Sequence, residues 1–255
     1  MKYRSGTRWL VAIVMASSLM ATVAARASDK KEKDKEKEKT QAVDSGAFGV
    51  FIKGLRVVTE TFSIEQQNGV STIKSQLKET GSPDPSAQKS DLELSSSGEL
   101  VRYEWSQTAG GSLTVLPNND FLIEKILVPG VAKSAEQPFL MPSTSAILDN
   151  NFFVQREVLV WRYLAANCKP EGGNLKCEQG PAEFGALVPQ DRTSMRVRIE
   201  LVGREKVTIR GAERDLMRLN LTSESFAWNL WVDDHDQFKL MRVAIPADNT
   251  EVIRD

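Results

Sequence analysis

The chain contains one histidine, His235, and two cysteines, Cys168 and Cys177, and these scarcities exclude much chemistry. One imidazole cannot build a three-histidine or H-E-x-x-H zinc site. A Ser-His-acid triad would have to recruit His235, which stands in a polar DDHDQ turn, and no G-x-S-x-G elbow exists to present a serine. The cysteines lack the CxxC spacing of a redox pair, and no glycine-rich phosphate loop is present. No basic stripe offers a footprint for nucleic acid. No catalytic residue, metal ligand set or cofactor site is therefore assigned. Carboxylate pairs such as Glu99 and Glu104 leave a hydrolase as a third reading, since in one sequence such a pair looks like the wet face of a strand.

A long apolar run is also missing. The most apolar stretch, Trp9 to Ala24, is sixteen residues, short of the roughly 20 needed to span hydrocarbon. Preceded by Lys2, Arg4 and Arg8 and followed by Ala25-Arg26-Ala27, it reads as a secretory signal peptide over residues 1–27. The alternative is an uncleaved anchor. No cysteine follows the apolar stretch, so there is no thiol to acylate as a lipoprotein anchor. Cleavage would remove four of the 33 basic residues and none of the 34 acidic ones, leaving a formal charge of −5. The expected location is exported, periplasmic or extracellular, with no integral membrane segment after cleavage.

Residues 28–45 read as a charged disordered linker. Its core, DKKEKDKEKEK, has no apolar side chain to offset the entropy of ordering. Attachment to a charged envelope polymer is the alternative use, weakened by the near cancellation of signs. Residues 46–255 read as a single β-rich domain.

What is present is mostly strand alternation. Asn68-Gly69 marks a tight hairpin between LRVVTETFSIEQQ and GVSTIKSQLKET. Val101, Tyr103 and Trp105 alternate with Arg102, Glu104 and Ser106, and Met195, Val197, Ile199 and Leu201 alternate with Arg196, Arg198 and Glu200. Phe226, Trp228, Leu230 and Val232 form the strongest inward row of the second half. Pro129, Pro138 and Pro142 argue against helix or interior strand over 129–147, which reads as an ordered crossing pinned by Phe139, Leu140 and Met141. TEVIR reads as a terminal edge strand. The total is a mainly β fold, an open antiparallel barrel or sandwich meander of about twelve strands.

One segment departs from this pattern. From Leu148 apolar residues come too densely for a half-wet strand, which predicts one buried helix with Phe153, Val160 and Leu164 central to one face and Gln155 and Arg162 forming a polar stripe opposite. Asp149 or Asn150 would cap its start and Asn167 would suit a left-handed exit. Two strands through Phe152 to Leu164 remain the alternative, given the β-branched valines. Cys168 and Cys177, in an exported chain, read as a disulfide closing a Pro-Gly-Gly loop. The carboxylates of Asp233, Asp234 and Asp236 beside His235 suggest calcium, yet a polar hairpin loop demands the same residues.

The aromatic residues on strand faces, Trp105 and Trp228 among them, fill a core by default. Phe153, Val160, Trp161, Leu164 and Trp231 are the candidate lining of an apolar ligand cavity between sheet and helix, Trp231 because it is out of phase with Trp228 and Leu230.

Gly54 to Val57, the opening near Leu148-Asp149, EKVTIRGAERDLMRLNL, WNLWVDD and FKLMRVAIP together make residues 46–255 similar to exported bacterial β-domain families of unknown function. That resemblance implies a long meander folded into an open barrel, reminiscent of periplasmic lipoprotein carriers whose half-barrel holds acyl chains under a helical lid. The carriers use more helices and lack the disulfide loop, and the resemblance carries over no functional residues. The expected function is a non-catalytic envelope protein that binds an apolar ligand, lipid or lipid-linked partner between sheet and helix. The alternative is a structural or protein-interaction module tethered in the envelope. Oligomeric state has no signal in the sequence.

Overall fold

The structure, a computed structural model, describes residues 40–81, 87–131, 133–171, 174–178 and 180–255. The signal-peptide reading and most of the linker lie outside the described residues. The strands are β1 (Gln41–Ile52), β2 (Leu55–Gln67), β3 (Val70–Glu79), β4 (Ala87–Ser95), β5 (Leu100–Gln107), β6 (Ser112–Asn118), β7 (Phe121–Leu127), β8 (Ala135–Phe139) and β9 (Ala146–Ile147). After helix α1 (Val154–Asn167) come β10 (Cys168–Glu171), β11 (Asn174–Cys177), β12 (Ala182–Val188), β13 (Thr193–Ile209), β14 (Ala212–Thr222), β15 (Ala227–Asp233), β16 (Lys239–Ile245) and β17 (Thr250–Arg254). That is more than the twelve strands expected.

Fifteen of them form one sheet in the order β8-β7-β6-β5-β4-β3-β2-β1-β17-β16-β15-β14-β13-β12-β9. Each half is an antiparallel meander built from hairpins, except that β9 pairs parallel with β12 across the connection that holds α1, which departs from the expected all-antiparallel sheet. At Asn68-Gly69 and Lys53-Gly54 both central residues have positive φ, 52° and 74° in the first and 51° and 80° in the second. This is the left-handed pair that turns a twisted ribbon back on itself. The two meanders join at β1 and β17, which pair antiparallel from Phe48↔Arg254 to Ile52↔Thr250. TEVIR is therefore central, correcting its reading as an edge strand. The reason is that β17 has a partner on each side, Phe48–Ile52 of β1 and Arg242–Ile245 of β16, and β1 itself starts at Gln41, within the stretch assigned to the linker.

Connectivity forces the sheet to curve. Laid flat, fifteen strands would span about 65 Å. The edge strands β8 and β9 are joined only by residues 140–145, which reach about 25 Å at full extension. The sheet must fold until its edges approach, yet β8 and β9 do not pair and the barrel stays open. The connecting segment crosses the gap, with Leu100 N–H donating to Ser143 O at 2.7 Å. Phe139 and Met141 are buried while Leu140 is exposed, so two of the three expected pins hold. Pro138 sits in β8, an outermost strand, where a missing N–H costs least.

The inner face and α1 share one core, including Phe48, Ile73, Tyr103, Val115, Val160, Ile199, Leu219 and Val252. One residue of an expected inward row is displaced. Leu94 pairs with Leu100 while Glu93 pairs with Arg102, so Val101 is an extra residue in a bulge. It is exposed, and Leu100 fills the core in its place.

Candidate functional site

The helix is held first by charge. Phe153 at its N-cap has no local side-chain cap. The cap comes from β2: Glu60 accepts Phe153 N–H on Oε2 at 2.7 Å and Val154 N–H on Oε1 at 3.3 Å, while Ser75 Oγ donates to Oε1 at 2.7 Å. The expected caps, Asp149 and Asn150, act elsewhere. Asp149 accepts from Asn151 N–H on Oδ1 at 2.9 Å and from Tyr103 Oη and Gln190 Nε2 on Oδ2. Arg156 donates to the carbonyls of Asp149 and Phe152, with its guanidinium 4.9 Å from the Trp228 ring and 5.3 Å from the Phe153 ring. The predicted polar stripe is corrected here. Gln155, Arg156 and Glu157 are buried, and Gln155 accepts Asp149 N–H at 2.6 Å instead of facing water.

One turn along, Glu157 Oε2 accepts Leu240 N–H at 3.2 Å and Arg254 Nη1 at 3.0 Å. Arg254 Nη2 also reaches both carboxylate oxygens of Asp44 at 2.7 and 2.6 Å. Its guanidinium lies 5.1 Å from the Phe62 ring and 5.7 Å from that of Phe48. A Cβ on Gly46 would come within 3.2 Å of Arg254 Nη2, so the glycine leaves room for the arginine.

Burial drives the acidities in this layer. It pushes Glu60 up to about 7 against the bonds from Ser75 and the helix N–H groups, and Asp149 up to about 6. Burial and neighbouring Asp44 raise Glu157 well above the carboxylate range, whereas Asp44 is held below its ordinary value, the bonds from Glu157 and Arg254 outweighing its own desolvation. Burial lowers Arg156 to about 10. Glu60, Asp149 and Arg156 are buried, and the bonds they make hold the start of the helix.

The open part of the interior lies around the second half of α1, where Trp161 and Arg162 are half-buried and Ala165 and Ala166 exposed. Two clefts flank it and share Val43, Trp161 and Ala165 as a common wall. One, about 470 Å³, is lined by Ala42, Leu164, Cys168, Leu175 and Phe238. The other, about 540 Å³, has Ile64, Ile73, Leu94, Val158, Arg162 and Phe184 on its walls. Both volumes fall within the roughly 300–1,000 Å³ of small-ligand sites. The Trp161 ring is fixed by its Nε1 donating to Phe238 O at 2.9 Å.

The residues expected to line a cavity thus separate. Trp161 and Leu164 line the clefts. Phe153 and Val160 are packed into the core and line neither. Trp231 is on the opposite face of the sheet, in a satellite cluster with Val207, Ile209, Leu216 and Met241. Being out of phase with Leu230 places it away from the helix. There it bonds Glu205 through Nε1 at 3.1 Å and lies under the Arg242 guanidinium at 4.7 Å.

Cys168 and Cys177 are disulfide-bonded and lie opposite each other in the β10-β11 ladder. They close a hairpin instead of an irregular loop. Asn167 is the last helical residue, its Nδ2 donating to Tyr163 O at 3.1 Å, and the cap at Cys168 is extended, not left-handed. Around His235, Asp233 pairs with Arg214, Asp234 with Arg204 and Asp236 with Lys239. Among the described residues no three metal-ligating side chains converge, and no helix is long and apolar enough to cross a membrane.

Sequence reasoning missed Glu60, Glu124 and Asp44. Its available signal was a carboxylate in step with an apolar row, as in Glu60-Phe62-Ile64 and Leu122-Glu124. No family model matches this chain, and neither a curated protein nor a solved structure matches it. The resemblance to exported β-domain families rests on the quoted segments alone.

Proposed function

We propose that this is a non-catalytic binding protein that works outside the cytoplasm and holds an apolar chain against the second half of α1. The observation that carries this reading is the pair of apolar clefts meeting at Trp161, at the end of the helix that the sheet leaves uncovered. A wall of leucine, valine, alanine and aromatic carbon offers an alkyl chain burial worth roughly 25 cal/mol per Å² of apolar surface. It offers no group that could activate water or a nucleophile. The disulfide fits an oxidising compartment.

The test is titration with a neutral apolar fluorophore, N-phenylnaphthylamine, displaced by a long-chain alcohol. Saturable binding is expected, with Ala165→Trp weakening it tenfold or more at an unchanged melting temperature, because Ala165 is exposed and a Trp there fills the shared wall. Absence of saturable binding, or equal binding by the variant, would overturn the reading.

A further inference from the structure

Arg162 is the one charged group lining the two clefts, and its surroundings are unusual for a guanidinium. Arg56, Arg102, Arg204 and Arg242 each pair with carboxylates. Among the described residues Arg162 has no acidic partner. Its Nη2 donates to Thr144 O at 2.5 Å, its guanidinium carbon lies 5.7 Å from the centre of the Phe184 ring, and its stem lies along Gly98. The side chain is therefore braced by the segment crossing the sheet gap and by the β4-β5 turn, with most of its fork unspent. Burial lowers its pKa, with no carboxylate nearby to restore it. A half-buried, braced cation beside a wall of Ile64, Ile73, Leu94 and Val158 is complementary to a ligand with one anionic end and one alkyl tail. A guanidinium matches a carboxylate through two parallel hydrogen bonds, a stronger arrangement than a neutral contact.

We infer that the cleft selects a single-chain carboxylate amphiphile, with Arg162 binding the headgroup and the wall between Val158 and Trp161 taking the tail. This rests on the proposed apolar-chain function and adds the chemical class of the ligand. Ser71 and Ser96 line the same cleft and supply hydroxyl groups at its polar side.

The experiment compares tetradecanoate with tetradecanol as competitors of the neutral dye, on the wild type, Arg162→Gln and Arg162→Lys. The wild type is expected to prefer the acid about tenfold. Arg162→Gln should erase that preference while keeping alcohol affinity and melting temperature, and Arg162→Lys should keep part of it. Equal affinity for acid and alcohol in the wild type would overturn the headgroup role and leave the apolar-chain reading standing. An acid preference that survives in Arg162→Gln would do the same, as would a parallel loss of acid and alcohol binding in that variant, the mark of a merely structural arginine. Failure of dye, acid and alcohol alike would remove both proposals.

Discussion

At the scale of single residues, Glu124 is the sharpest anomaly. It lies on the inner side of β7 with no exposed surface, and neither carboxylate oxygen has a hydrogen-bond partner. Burial pushes it up to about 7, opposed by the charge of Arg192. Between about 4.5 and about 7 the native state keeps a proton that the unfolded chain has released. By linkage, stability from this residue is present at low pH and is lost as pH rises through that window. Glu124→Gln removes the titration, so in urea unfolding from pH 4 to 8 the variant should gain on the wild type as pH increases. A difference constant across that range would contradict a buried, protonated Glu124. Such residues were hard to read from the sequence because a lone Glu in a strand normally marks the wet face. Only its phase with Leu122, and the partners supplied by folding, reveal it.

At the scale of elements, helix α1 was legible and its ends were not. The apolar density from Phe152 to Leu164 required enclosure, and both flanking meanders supply it. The start moved from Asp149 to Val154 because the cap comes from Glu60, 93 residues upstream of Phe153, which no local pattern can encode. Glu60→Ala would leave two helix N–H groups without their acceptor and Ser75 Oγ with only Thr61 O at 3.3 Å. It should cost about 2–3 kcal/mol in urea unfolding, combining the loss of a cap with buried unsatisfied donors. A loss below about 0.5 kcal/mol would mean the helix terminus finds water or another acceptor. The disulfide pair was likewise legible from the cysteine count and the expected export. Its hairpin was not, since Lys169-Pro170-Glu171 has little strand character.

For the whole molecule, alternation gave the meander, and the missing piece was how its halves meet. Pairing of β1 with β17 depends on a strand that begins next to a charge-rich segment and on Arg254, which bridges Asp44 of β1 and Glu157 of α1. Those contacts link residues up to 210 apart in sequence, beyond the reach of periodicity. They also explain why the clefts sit where they do. The charged layer locks the first half of α1 into the sheet, the crossing segment over 140–145 braces Arg162 from outside, and the second half of the helix is left as the uncovered wall. The most direct measurement of that account is photolabelling with a diazirine-bearing fatty acid, followed by peptide mapping. Adducts are predicted on the segments 41–43 and 161–166, and competition with tetradecanoate should remove them. Adducts confined to the outer face around Trp231, or spread over the surface and indifferent to competitor, would contradict it.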